Sequence, residues 1–167
     1  MTRWYDLEPA DAAIFSTAPE IHRFPVRLAV PPARVWQSLQ SEESLAAWGR
    51  GVRSLTWTSS RPFGVGSTRE VTLPLGVATV RERFFRWDEG RGYSFYVEQC
   101  DRPLFRRFAE NYVVEADGSG SLFTWTIAID PAPRLAPVAR FGRPVNRVAF
   151  GQVARSAKKY FAAHPTA

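Results

Sequence analysis

Alternation of apolar and polar residues governs most of the 167-residue chain, and helical spacing takes over only at two short stretches near the start and one long one at the end. His22 to Val30 predicts a first strand, with Phe24, Val26, Leu28 and Val30 on one side and Arg23 and Arg27 on the other. Pro31-Pro32 stops it, and Val35, Trp36 and Leu39 then recur at helical spacing, with Pro32 in a first turn that tolerates it. Ser41 and Ser44, with acidic Glu42 and Glu43, predict a second short helix that carries Leu45 and Trp48 inward and ends at Gly49 and Gly51. Val52 to Ser59 is a second strand whose inner face is ambiguous, because Val52 and Trp57 have opposite parity.

Gly66 to Asp88 reads as two strands about a Pro-Leu-Gly turn. Closing that turn sets Leu73 opposite Ala78, Val71 opposite Val80 and Arg69 opposite Glu82, so one face is apolar with an Arg/Glu pair at its far end. The other face carries Glu70 beside Arg81 and Thr72 beside Thr79, as expected where cross-strand charges meet water. Next, Tyr93, Phe95 and Val97 alternate with Ser94, Tyr96 and Glu98. Placing Phe84 opposite Phe95 puts Arg81 opposite Glu98, which extends an outer ladder of charges; a one-residue slip would instead turn Tyr96 and Glu98 inward.

Past the Pro103 break, Arg106 to Ala116 predicts another strand, followed by the strong turn Asp117-Gly118-Ser119-Gly120. Pairing Ala116 with Ser121 sets Val114 opposite Phe123, Tyr112 opposite Trp125 and Glu110 opposite Ile127. The apolar set Phe123, Trp125, Ile127 and Ile129 marks this face as inward, so Glu110 points inward too. From Pro144 to Ala163, Val145, Val148, Ala149, Val153, Ala157, Tyr160 and Phe161 recur at helical spacing and predict the longest helix. Residues 1–21 read as an irregular arm anchored by Trp4, Tyr5, Ile14 and Phe15, residues 22–163 as one domain, and residues 164–167 as a tail.

Composition narrows the chemistry. An aromatic share of 14% either fills a large core or lines a cavity. The single Cys100 excludes an internal disulfide, and His22 and His164 have no metal-ligand spacing, so no metal site is expected. No Ser/His/Asp order or phosphate-cradling glycine loop suggests nucleophilic catalysis or a cofactor, and none is expected. The start, MTRWYDLEPADAA, has carboxylates where a signal peptide would be apolar, and no stretch approaches a membrane span, so the expected location is cytoplasmic. A net charge of +6 licenses acidic partners, and the cations crowd the last part of the chain, from Arg134 and Arg140 to Lys158 and Lys159. No nucleic-acid-binding motif accompanies that charge, so specific nucleic acid is not expected.

The sequence PPARVWQSL, then GSTREV, RERFFRWDE, AENYVVE and FTWTI, in that order, resembles the START-like superfamily, also called the SRPBCC or Bet v 1-like group. The closest-looking branch is the polyketide cyclase/dehydrase and lipid-transport proteins, with plant abscisic acid receptors more distant. The resemblance spans about residues 22–163 and implies an α+β helix-grip fold: a curved antiparallel sheet of about seven strands, in the order β-α-α-β6-α, around the long C-terminal helix with an internal cavity. It also implies a hydrophobic or amphipathic ligand such as a lipid, sterol or polyketide. In the receptors a pocket glutamate in an Arg-Glu-Arg context matches Glu82, a gate turn matches Pro74 to Ala78 in position though not in wording, and the strand after Pro103 brings Tyr112 to the pocket. A lipocalin-like barrel fits poorly with the helices between the first two strands. A nuclear-transport-factor-like cone fits poorly with a long helix at the end of the chain.

The expected ligand-binding set is therefore Arg69, Val71, Val80, Glu82, Phe84, Phe95, Glu110, Tyr112, Trp125 and Phe150, with Glu82 and Glu110 the candidate catalytic acids or bases. Arg69 and Glu82 either hold a ligand or satisfy each other. Glu110 is either a buried carboxyl with a raised pKa or a group at the open end of the sheet in water. Three functions compete: binding, transport or sensing of a small hydrophobic ligand; aromatase/cyclase-like catalysis on a polyketide; and protein interaction by a solid domain. The expected partners are the ligand itself and, at the basic last helix, an acidic carrier protein or an anionic membrane surface.

Overall fold

The computed structural model describes residues 2–42, 44–48 and 51–166. Its strands are β1 (Tyr5–Asp6), β2 (Glu20–Leu28), β3 (Ser54–Trp57), β4 (Thr68–Thr72), β5 (Thr79–Asp88), β6 (Gly92–Cys100), β7 (Phe105–Asp117) and β8 (Gly120–Pro131). Its helices are α1 (Ile14–Thr17), α2 (Pro32–Leu39) and α3 (Ala136–Ala163), with 3-10 turns at Ser44–Trp48 and Pro74–Gly76. One antiparallel sheet runs β2-β8-β7-β6-β5-β4-β3, with β1 paired to β6, and α3 lies across its concave face against β2. This is the helix-grip arrangement. Among the described residues, no helix is long and apolar enough to cross a membrane.

The turns fix the register as their chemistry dictates. Arg69 pairs with Glu82, Val71 with Val80 and Thr72 with Thr79 across the Pro-Leu-Gly turn. Across the Asp-Gly-Ser-Gly turn, Ala116 pairs with Ser121, Tyr112 with Trp125 and Glu110 with Ile127. Phe84 does face Phe95, and Tyr96 stays on the outer side of the sheet, where it packs toward Phe85. The outer ladder is corrected, however. A bulge between Arg81 and Glu82 shifts the register, so Arg81 faces Gln99 and donates to its side chain, while Glu98 accepts from Arg83. An extra residue in one strand re-aims everything beyond it.

The last helix also departs from expectation. It begins at Ala136, with Pro137 in its first turn, and runs through Pro144. Only residues in its second half are fully buried: Gly151, Ala154, Ala157 and Phe161. Val145 and Val148, expected to face the core, are exposed. The second short helix is a 3-10 turn that buries Trp48, whose Nε1 donates to Ser38 Oγ at 3.0 Å. Glu43 and Gly49, placed in that helix by the sequence pattern, lie outside the described residues. In β3, Trp57 is buried and Leu55 half-buried, which settles the inner face on odd positions.

The arm contributes to the sheet. β6 and β7 pair only from Gly92–Val113 to Tyr96–Ala109 and stop there. The arm fills the gap beyond: Tyr5 pairs with Cys100, Leu7 N donates to Glu98 O at 2.8 Å, and Glu8 N donates to Arg106 O at 3.0 Å. Leu7 is buried against Val71, Val80, Val97 and Cys100 of the inner face, and Ile14 on the outer side against Ala109 and Ala128.

Candidate functional site

The concave face of the sheet is divided into two halves. One is packed solid: α2 drives Trp36 and Leu39 down onto Trp57, Phe84, Tyr93, Tyr112 and Phe123 in a single buried cluster. The other is hollow, a cavity of about 700 Å³ walled by Val71, Val80, Val97, Phe105, Phe108 and, from α3, Phe150 and Val153. That volume suits a small organic ligand. Its exposed wall residues are Pro74, Leu75, Ala149 and Gln152, so the mouth lies between the Pro74–Gly76 turn and the middle of α3.

Where filled meets hollow, Arg69, Glu82, Glu110 and Trp125 cross β4, β5, β7 and β8 in a row. Alternation places all four on the inner face: Arg69 and Glu82 are cross-strand partners, β6 stands between Glu82 and Glu110, and Trp125, paired with Tyr112, reaches Glu110 diagonally. Arg69 Nε donates to Glu82 Oε2 at 2.5 Å, and its Nη1 approaches Tyr93 Oη at 3.5 Å. The guanidinium carbon lies 4.6 Å from the ring centre of Phe95, 4.9 Å from Phe84, 5.4 Å from Trp57 and 5.7 Å from Tyr93. Ring faces stabilise a cation that has left water. Among the described residues, Nη2 has no hydrogen-bond partner.

Burial pushes the Glu82 carboxyl above its ordinary range while the Arg69 charge pulls it back. Arg69, beside that carboxylate, binds its proton still more firmly despite its own burial, so it stays a cation throughout. Glu110 differs. Trp125 Nε1 donates to its Oε2 at 2.8 Å and the Tyr112 hydroxyl donates to the same oxygen, but neither donor is charged. Burial raises the Glu110 carboxyl, the charge on Glu82 adds to the rise, and the two donated bonds and Arg69 only partly offset it; its pKa is about 7. The hollow thus ends on a carboxyl that gains or loses its proton near neutrality. Such a group can donate to a carbonyl, accept from a hydroxyl, or move a proton.

Seven of the ten residues expected around a ligand line this cavity: Arg69, Val71, Val80, Glu82, Glu110, Trp125 and Phe150. Phe84, Phe95 and Tyr112 do not. They lie on the filled side, the two phenylalanines against Arg69 and Tyr112 behind Glu110. Alternation identifies a face but not what covers it. Leu45 and Trp48 close the hollow from the 3-10 turn, as their inward spacing suggests; Phe108 shares the parity of Glu110 and Tyr112, which was signal enough to find it, whereas Phe105 lies beyond the β7 bulge, where parity is lost. A second buried polar group follows the parity of Phe24, Val26 and Leu28 in the first strand: His22 Nε2 meets Glu20 Oε1 at 2.6 Å, and Asn146 of α3 donates to that oxygen at 3.0 Å.

Residues 23–162 match the family described as polyketide cyclase/dehydrase and lipid transport. The chain belongs to this family, and through it to the START-like, or SRPBCC, superfamily. Among its relatives, the uncharacterized proteins Mb2604 of Mycobacterium bovis and Rv2574 of Mycobacterium tuberculosis are each 30% identical over 156 residues, covering 93% of this chain and 93% of their own. Two solved structures share its fold. Ara h 8.0201 superposes with a TM-score of 0.61 at 17% identity, over 87% of this chain and 100% of that one. TTHA0849 of Thermus thermophilus does so with a TM-score of 0.69 at 16% identity, over 86% and 98%.

Proposed function

We propose that the protein binds one small hydrophobic or amphipathic molecule, a lipid, sterol or polyketide, in the hollow half of its sheet, for transport, sequestration or sensing. The observation that carries this is an apolar cavity of about 700 Å³ that ends on the ionisable Glu110. Apolar walls supply the driving force, and a single carboxyl at the end orients the ligand's polar group. Arg69 and Glu82 bond each other and build the floor.

Native mass spectrometry of the purified protein, with a thermal-shift series over a long-chain fatty acid, a sterol and an aromatic polyketide, tests the reading. One class stabilises the protein, and Val80→Phe, which pushes a ring into the hollow, weakens that class by about tenfold or more. No shift with any class in the unsubstituted protein would sink the proposal.

One observation favours a second reading, catalysis: a carboxyl with a pKa of about 7 inside a cavity is poised for proton transfer. The Glu110 carboxylate would take a proton from the carbon between two carbonyls of a polyketide. That carbon would attack a ketone of the same chain, and Glu110 would return the proton to the alkoxide formed. For dehydration it would then take the second proton of the same carbon and give it to the departing hydroxyl, so that water and a carbon–carbon double bond form and the carboxylate is restored. Unchanged turnover of a poly-β-keto substrate by Glu110→Gln would remove this reading and leave binding in place.

A further inference from the structure

We propose that the closed end of the cavity recognises a cation, so that the ligand is an amphipathic amine whose ammonium group sits against Glu82 and Glu110. Each of these carboxyls turns one oxygen to the protein: Glu82 Oε2 accepts from Arg69, and Glu110 Oε2 accepts from Tyr112 and Trp125. Oε1 of each has no hydrogen-bond partner among the described residues, yet neither is sealed away as Arg69 Nη2 is. Both side chains line the cavity although the residues are only 5% and 9% exposed. The hollow therefore ends on two free acceptors. Among the described residues, Arg69 is the one cation in its wall, and that guanidinium is fully buried, bonded to Glu82 and ringed by aromatic faces. The indole of Trp125 and the hydroxyl of Tyr112 are already spent on Glu110. From α3 come Ala149, Phe150, Gln152 and Val153, none of them titratable, and Gln152 stands at the mouth.

Charge decides the ligand class. Across β4, β5 and β7 one guanidinium stands against two carboxyls, so the row is a positive charge short when both are ionised. Burial with no second cation at hand lifts Glu110, and the charge on Glu82 adds to the rise. An ammonium supplies the missing charge and three N–H donors for the two free oxygens. A ligand carboxylate would set a third acid beside the pair, and a hydroxyl would give one donor while leaving the charge uncompensated. The remaining wall is apolar, with Val71, Val80, Val97, Phe105 and Phe108 facing the space, so the amine must be carried on an apolar body.

Selection by charge rests on the binding reading given above and is measured apart from it. Calorimetric titration of the full chain with decylamine, decanol and decanoate, below their micellar concentrations, holds the apolar body constant and changes the polar end. At about pH 8 the amine is expected to bind about tenfold or more tightly than the alcohol, with the carboxylate weakest. Lowering the pH to about 6 puts a proton on Glu110 and is expected to weaken the amine by about tenfold, since the amine itself stays charged at both values. In Glu110→Gln the preference for amine over alcohol should collapse toward parity, and the pH dependence should go with it. Val80→Phe should weaken the amine, because the ring enters the hollow. Alcohol or carboxylate binding as tightly as the amine overturns the selection by charge and leaves the binding reading in place. An amine preference that survives Glu110→Gln also overturns it, as does amine binding untouched by Val80→Phe, which puts the cation outside the cavity. If none of the three is taken up, the selection falls, and the binding reading falls with it only when the sterol and the polyketide also leave the protein unshifted.

Discussion

The filled and hollow halves of the concave face are built from the same alternating strands, yet one is solid and the other is a cavity. On the filled side α2 lays Trp36 and Leu39 over Phe84, Tyr93 and Tyr112, and the indoles find partners, Trp57 Nε1 donating to Ser41 O at 3.1 Å and Trp36 Nε1 to Glu89 at 2.8 Å. On the hollow side α3 offers Ala149, Phe150 and Val153 at a distance, and nothing fills the space between. A pocket in this fold is therefore an omission. The sheet supplies an apolar face throughout, and the hollow remains where the covering helix stands off from it.

Truncating one aromatic side chain on each side separates the two halves most clearly. Phe84→Ala opens a void in a packed cluster and is expected to cost about 3–5 kcal/mol in urea denaturation. Phe108→Ala only widens a space already present, so its cost is expected to be about 1–2 kcal/mol, the lost transfer of the ring. Equal costs would mean that the hollow half is as tightly packed as the other.

The boundary row gives the next effect. Glu110 has a folded-state pKa of about 7, above its ordinary 4.5, so the folded protein keeps a proton that the unfolded chain releases between those values. Stability from this group is full below the window and is lost as the pH rises through it. Glu110→Gln should remove that slope, gaining on the order of 3 kcal/mol relative to the parent at about pH 8 and little at about pH 4. A parent whose urea midpoint does not fall across the window would contradict the buried carboxyl. Smallest is the outer face. Glu70→Ala removes an exposed partner of Arg81 and should cost about 0–1 kcal/mol, less in high salt.

Much of this architecture is legible in the sequence because the turns are short and chemically explicit. The Pro-Leu-Gly and Asp-Gly-Ser-Gly turns fix pairing to the residue, and with it Arg69 beside Glu82 and Glu110 on the inner face. The bulge opposite Arg81 marks the sequence only as the adjacent polar pair Glu98-Gln99 between the buried Val97 and Cys100, which alternation reads as the end of the strand, and it moves Glu98 from Arg81 to Arg83. The split between solid and hollow is not legible, since it depends on where α2 lands; hence Phe84, Phe95 and Tyr112 read like wall residues. Pro144 suggests the start of a helix because proline suits first turns, but Pro137 holds that place, and a helix already formed carries the second proline through. The exposed valines beyond it fit helical periodicity as well as buried ones would, since spacing says nothing of which stripe meets the sheet.

The arm that closes the gap between β6 and β7 has a kinetic consequence. It is held by a two-residue strand and two further backbone bonds, next to the ends of the strands that carry Phe105 and Phe108. Pairings of so few residues open at a small fraction of the global unfolding free energy. The amides of Leu7 and Glu8 should therefore exchange with deuterium together, well ahead of the long β7–β8 ladder. Each such opening bares strand edges directly outside the hollow, so the rate at which that side of the cavity wall breathes is set by the first few residues of the chain.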